Sequence, residues 1–174
     1  KKKSMKIMEM LTEASIEYVK NKVKSGIDCF QLFETYSGII SNEDYKNFIL
    51  PLSTKILIEA RESGVPTIFF PKNFNEGLKY INKEMCDYVS VDYDISLDNA
   101  RNLLDSEVGI QGNMDPKIFY QEIDEIENYL KSLIDFGSKN TDWIFNLGHG
   151  FRPDIDHIKV KYVVEWIKNA NWKR

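Results

Sequence analysis

Apolar residues recur along this chain in two rhythms, and the rhythms alternate. From Ser4 to Lys24, Met5, Met8, Leu11 and Ile16 fall near one face of a 3.6-residue repeat with lysines and glutamates between them. That spacing predicts a helix, and Gly26 a stop for it. The run Asp28 to Glu34 is short, apolar and aromatic, and reads as a buried strand. Ser41 then caps a second helix with Glu43 and Asp44 in its first turn. Tyr45, Phe48, Ile49, Leu52 and Ile56 form its apolar face; Pro51 should kink it, and Gly64 and Pro66 should end it. The alternation continues with a strand over 67–71, a short helix over 76–83 and a strand over 88–92. A helix from Leu97 to Leu104 capped by Ser96, a strand over 108–111 and helical sequence from Pro116 to Phe136 follow, the last stopped by Gly137. Trp143 to Phe145 is the fifth strand, and Val160, Val163, Val164 and Ile167 give the final helix its buried face.

One helix followed by five strand–helix units predicts an α/β fold with a parallel sheet covered by helices. Two architectures have this order. One is an open doubly wound sheet. The other is part of a (β/α)8 barrel, which as a whole needs about 250 residues. The 174 residues suit one domain, and no repeat or low-complexity linker divides them. With 43% apolar residues a sizeable core can form. A net charge of −4 argues against a nucleic-acid partner, which needs a clustered cationic face. No apolar run approaches the ~18 residues of a spanning helix, so no membrane partner is expected, and no signal peptide is visible. Cys29 and Cys86 both adjoin apolar residues and are expected as buried, reduced thiols.

Both architectures bind ligands at the carboxyl ends of their strands. Here the strands exit into Glu34-Thr35-Tyr36, Pro71-Lys72-Asn73, Asp92-Tyr93-Asp94, Asn113-Met114-Asp115 and Asn146-Leu147-Gly148-His149-Gly150. One rim thus gathers hydroxyls, carboxylates, a lysine and a histidine. The neutral reading of each stands beside it. His149 could be a turn histidine, Asp92 and Asp94 could pair for acid–base work or one could cap the next helix, and Asn113 and Asp115 look first like turn chemistry. His157 is expected to be solvated. No dinucleotide or Walker loop and no nucleophile elbow occurs, which sets those chemistries aside, and no Cys/His cluster has zinc spacing, so no metal is expected.

Several blocks together resemble the uroporphyrinogen decarboxylase family. "QLFETYSG" (Gln31 to Gly38) is similar to that family's Gln-[Leu/Ile]-Phe-[Glu/Asp]-[Ser/Thr] strand end followed by a Gly. "YKNFILPLSTKI" resembles its helix with a Phe and a mid-helix Leu-Pro, and "VSVDYD" its Gly-Leu-Asp-Trp strand end with Tyr93 for Trp. "IQGNMDP" (Ile110 to Pro116) matches Gln-Gly-Asn-Leu-Asp-Pro, and "NLGHGFRPD" matches Asn-Leu-Gly-His-Gly. The resemblance implies a (β/α)8 TIM barrel of which this chain covers about strands 4–8, the carboxyl-terminal portion of a single domain. The family's amino-terminal arginine motif, Arg-Gln-Ala-Gly-Arg-Tyr, is not in this sequence, so the chain alone is expected to be inactive.

The resemblance also implies the chemistry: cofactor-free removal of the four acetate carboxyls of uroporphyrinogen III, giving coproporphyrinogen III in heme biosynthesis. It carries over two catalytic and substrate-binding positions, Thr35 and His149, and a cleft phenylalanine, Phe33. Lys72 and Arg152 flank the mouth and could add positive potential for a polyanion. The implied partners are the tetrapyrrole substrate and a second copy in a homodimer. The cytoplasm is the default location, and a plastid the alternative if a transit segment precedes Lys1. A zinc- and corrinoid-dependent methyltransferase of the same superfamily is the nearest rival, but its His-x-Cys would stand where this chain has Lys72-Asn73-Phe74. A non-catalytic remnant is the rival from another class.

Overall fold

The computed structural model describes residues 2–172. It is built on one five-stranded parallel sheet: β1 (Phe30–Glu34), β2 (Thr67–Pro71), β3 (Tyr88–Ser90), β4 (Gly109–Met114) and β5 (Trp143–Leu147). Their spatial order is their order in sequence, and every neighbouring pair is parallel. A doubly wound sheet reverses direction at a switch point. This one does not, so of the two architectures open to the sequence only the singly wound arrangement of a partial barrel agrees with the structure. β1 and β5 are its edges.

The helices follow from local sequence. α1 (Lys2–Lys24) leads in. Its buried positions are Thr12 and Val19, while Leu11 is exposed, so the contact face is rotated from the one expected. A small cluster of Val19, Ile56 and Ala60 joins it to α3 (Leu50–Glu62). Ser41 caps α2 (Asn42–Asp44) as its position foretold, accepting from the Asp44 amide. The bend expected at Pro51 is a π-helical turn, Tyr45–Ile49, closed by the Leu50 amide on the Tyr45 carbonyl. A proline has no amide to donate, and widening the preceding turn accommodates it.

α4 (Leu97–Leu103) starts at Ser96, whose hydroxyl accepts from the Asn99 amide. The helix expected over 76–83 is only a 3-10 stretch, Asn75–Tyr80. Six residues with a central glycine are too few to support an α-helix. The single helix expected over 116–136 is three pieces: a 3-10 stretch Pro116–Tyr120, α5 (Ile123–Ser132) and α6 (Ile134–Lys139). Gly137 does not stop it but lies inside α6. A Cβ there would sit 2.7 Å from the Trp172 ring and 2.8 Å from the Trp143 ring, so its smallness lets two indoles close over the helix. α7 (His157–Asn169) completes the layer, and His157 is solvent-exposed as expected.

The main core fills the space between the helices and one face of the sheet. Phe69, Val89 and Ile110 occupy its centre, each fully buried, and Leu57, Ala100, Ile126 and Leu130 descend on them from the helices. All residues of β2 and of β4 are buried, as parallel strands covered on both faces require. Of the cysteines, Cys86 is buried and its thiol is pushed up to about 12 by burial. Cys29 is exposed, against expectation, because it precedes the edge strand β1.

Candidate functional site

Period-two alternation sends Gln31, Phe33 and Thr35 to the sheet face away from the main core. The register carries that face across the sheet. Phe33 pairs with Phe70, and Ser90 with Gln111, which pairs with Ile144. The side chains confirm it: the Phe33 and Phe70 rings meet edge to face at 6.0 Å, and the Gln111 amide donates to the Gln31 carbonyl oxygen at 3.3 Å.

Along this face and out to the free edge of β5 lies a cavity of about 690 Å³. Phe33, Thr35, Phe70, Lys72, Asn146 and His149 line it, with Phe119 and Phe151 at one end. The structure therefore brings together Thr35, His149 and Phe33, the three residues singled out from sequence. Thr35 is exposed just past β1, and its hydroxyl has no protein partner among the described residues. Phe33 is 63% exposed, far too open for a core phenylalanine. His149 is exposed, and its one polar neighbour among the described residues is the Gly150 carbonyl, 3.4 Å from Nδ1. That contact is too long to hold a tautomer, so both ring nitrogens remain open to a ligand.

The loop that carries His149 is tightly held. The Gly148 amide donates to the Met114 carbonyl at 2.9 Å. Gly148 also lies flat on the loop after β3, where a Cβ would come within 2.4 Å of the Tyr93 nitrogen. Phe151 packs edge to face on Phe119 at 6.0 Å, and the Tyr120 hydroxyl lies 3.0 Å from both Asp154 carboxylate oxygens. Gly150 has open space around it, so only the first of the two glycines flanking the histidine answers a steric need.

The two aspartates after β3 do not form an acid–base pair. Asp92 is buried, and each of its carboxylate oxygens is engaged by backbone: Oδ2 accepts from the Asn73 amide at 2.7 Å, Oδ1 from the Asp94 amide at 3.0 Å. Asp94 itself is exposed. Asn113 is not a turn residue but lies inside β4, which runs three residues beyond its expected end. Its amide nitrogen donates to the carbonyls of Asp92 (2.8 Å) and Ile95 (2.5 Å). Asp115 does supply turn chemistry, accepting from the Lys117 amide. Arg152 is exposed and stands off the cavity wall, whereas Lys72 is on it. Sequence reading passed over Gln31, Phe70, Ser90 and Phe119 as site residues. The alternation through β1 and β2 was the signal that could have found the first two.

These features, a polar rim over an aromatic wall at the carboxyl ends of parallel strands, agree with one line of relatives. The family model described as Uroporphyrinogen decarboxylase (URO-D) matches residues 1–170. The chain belongs to the uroporphyrinogen decarboxylase family. A protein named uroporphyrinogen decarboxylase from Geobacter sulfurreducens is 30% identical over 96% of this chain and 49% of its own length. Those of Geotalea daltonii and Francisella philomiragia, which bear the same name, are each 33% identical, over 92% and 93% of this chain. The chain spans about half the length of these curated relatives. No helix among the described residues is long and apolar enough to cross a membrane.

Proposed function

We propose that this chain is the carboxyl-terminal half of a uroporphyrinogen decarboxylase barrel, strands 4–8 of eight, and forms one wall of its substrate cleft. The observation that carries the reading is that Phe33, Thr35 and His149 line a single cavity at the carboxyl ends of the strands. Half the length of the relatives and two open sheet edges support the partial-barrel assignment.

Each turn of the reaction removes one acetate carboxyl as CO2 and leaves a methyl group. Protonation of the pyrrole carbon next to the one bearing the acetate makes the ring an electron sink. The C–CO2 bond then breaks, and its electron pair enters the ring system as an exocyclic double bond. A second proton converts that methylene to methyl as the ring proton leaves, so one proton is consumed per CO2. This chain's part is to bind and orient. The wall of Phe33 and Phe70 faces the apolar body of the macrocycle. Thr35 Oγ1 donates to a substrate carboxylate. His149 donates to a second carboxylate through a ring nitrogen that no described residue occupies. Orientation of this kind is worth orders of magnitude in rate when the fit is close.

Without the remaining strands the wall closes nothing, and the chain alone turns over no substrate. The full-length protein acts as a homodimer in the cytoplasm. The test is conversion of uroporphyrinogen III to coproporphyrinogen III by the full-length protein and by its Thr35→Ala and His149→Asn variants. Each variant should lose at least about tenfold in kcat/KM, the value of one hydrogen bond to a charged group. Wild-type rates in both refute the site, and measurable turnover by this chain alone refutes the half-barrel reading.

A further inference from the structure

Among the described residues that line the cavity, Lys72 is the single lysine or arginine, and no aspartate or glutamate joins it. Its ammonium makes no hydrogen bond or ion pair with any described residue. Asp92, the buried carboxylate that binds the amide of the next residue, has each of its oxygens on a backbone amide. A lysine side chain at the edge of an aromatic cavity with no partner among the described residues contributes no ion pair or hydrogen bond to the fold.

The backbone at this position is, by contrast, held on every side. The Lys72 amide donates to the Glu34 carbonyl at 3.1 Å, and its carbonyl accepts from the buried Ser37 hydroxyl at 2.5 Å. The next amide, Asn73, is the one bound by the buried Asp92. Asn73 adopts a left-handed φ of 58°, and Gly38 lies so close that a Cβ would stand 2.4 Å from the Asn73 Cβ. A buried carboxylate, a buried hydroxyl, a left-handed asparagine and an obligatory glycine thus fix one residue. The side chain they present engages nothing in the protein. That arrangement fixes where the side chain starts, so the backbone's share of the ordering is in place before a ligand arrives.

We propose that Lys72 is the anionic anchor of the cavity: its ammonium receives one carboxylate of an aromatic polycarboxylate and so sets which carboxylate lies between Thr35 and His149. The inference rests on the decarboxylase reading for the identity of the ligand, though not for its charge. Thr35 and His149 each bring hydrogen-bond donors, and Lys72 brings the permanent charge. Together they grip one edge of a flat, carboxylate-fringed molecule whose face lies on Phe33 and Phe70.

The test is direct binding to the full-length protein with two probes: uroporphyrin I, the stable oxidised octacarboxylate, by fluorescence anisotropy, and isophthalate, by the His149 ring resonances in NMR. Lys72→Met should weaken uroporphyrin I by about tenfold or more, as loss of a charged hydrogen bond predicts. Lys72→Arg should stay within about threefold, and Lys131→Met, on α5 away from the cavity, should match wild type. The octamethyl ester of uroporphyrin I, which has no carboxylates, should not distinguish Lys72→Met from wild type. If uroporphyrin I fails to bind wild type while isophthalate binds in a Lys72-dependent way, the anchor stands and the decarboxylase reading falls. If Lys72→Met equals wild type with both probes, or neither carboxylate probe binds wild type, the anchor is overturned.

Discussion

Gly148→Ala isolates the steric contact that places the candidate histidine. The added Cβ would lie 2.4 Å from the Tyr93 nitrogen, 2.9 Å from the Asp92 carbonyl carbon and 3.0 Å from the Tyr93 Cβ. Ordinary contacts between such atoms begin at about 3.5 Å, so one loop must retreat by about 1 Å. The Asp92 loop is poorly able to do so. Its residues are tied to Asn73 by the Asp92 carboxylate and to β4 by Asn113. The loop after β5 is therefore the one that moves, and His149 moves with it. Overpacking of this kind costs about 1–3 kcal/mol. For a chain of this size each kcal/mol lowers Tm by about 2–4 °C, so thermal unfolding followed by circular dichroism should show a drop of about 2–12 °C. A displacement of about 1 Å in a positioning group costs on the order of a hundredfold in rate, read as kcat/KM for uroporphyrinogen III in the full-length protein. Gly150→Ala is the internal control. Its Cβ meets nothing within 4 Å, and its Tm should stay within about 2 °C of wild type. If Gly148→Ala melts and reacts as wild type does, or if Gly150→Ala is the more damaging, the close approach has no bearing on His149.

Three further outcomes are expected. Asn113→Leu removes both donations to the Asp92 and Ile95 carbonyls in a buried setting; urea unfolding should report a loss of about 2–3 kcal/mol, and a loss below 0.5 kcal/mol would show those bonds to be dispensable. Burial works against the Asp87 carboxylate, but the Lys83 ammonium and the Thr67 amide and hydroxyl outweigh it and hold its pKa below the usual 3.8. Its contribution is then fully present above about pH 4 and lost as pH falls through the lower folded value. Asp87→Asn should thus be less stable than wild type at pH 7, with the gap closing toward pH 2; a pH-independent gap would contradict the linkage. Iodoacetamide at pH 8 should label Cys29, which is exposed, and spare Cys86, whose buried thiol is raised to about 12; equal labelling by mass spectrometry would mean the Cys86 region opens readily.

The fold class was legible because its signals are local. Alternating periods marked all five strands, and Ser41 and Ser96 cap where their positions relative to apolar runs foretold. The misses share a different cause, contact between segments distant in sequence. Gly137 reads as a helix stop until Trp143 and Trp172 are seen closing over it. Asn113 and Asp92 read as turn residues or as chemistry, and only the structure shows them tying three strand ends together. Leu11 is apolar at a helical spacing but faces outward, since periodicity gives the width of a face and not which neighbour it meets. The resemblance of whole blocks pointed to Phe33, Thr35 and His149, which line one cavity. It did not point to Phe119, which reaches the cavity from a 3-10 stretch with no strand alternation to point the way.

Because strand order in space repeats strand order in the chain, each strand emerging from the ribosome finds its partner already made. Partners are separated by roughly 20 to 40 residues throughout the sheet, and a twofold difference in loop length changes closure entropy by only about 0.6 kcal/mol. Loop length therefore does not choose a starting point. Burial does: the fully covered strands β2 and β4 and the centre of β3 between them hold the contacts most able to form a folding nucleus. Substitutions at Phe69, Val89 and Ile110 should slow folding, while those in the edge strands β1 and β5 should chiefly speed unfolding. Growth of such a sheet is by accretion outward from its buried centre, with the edge strands added last.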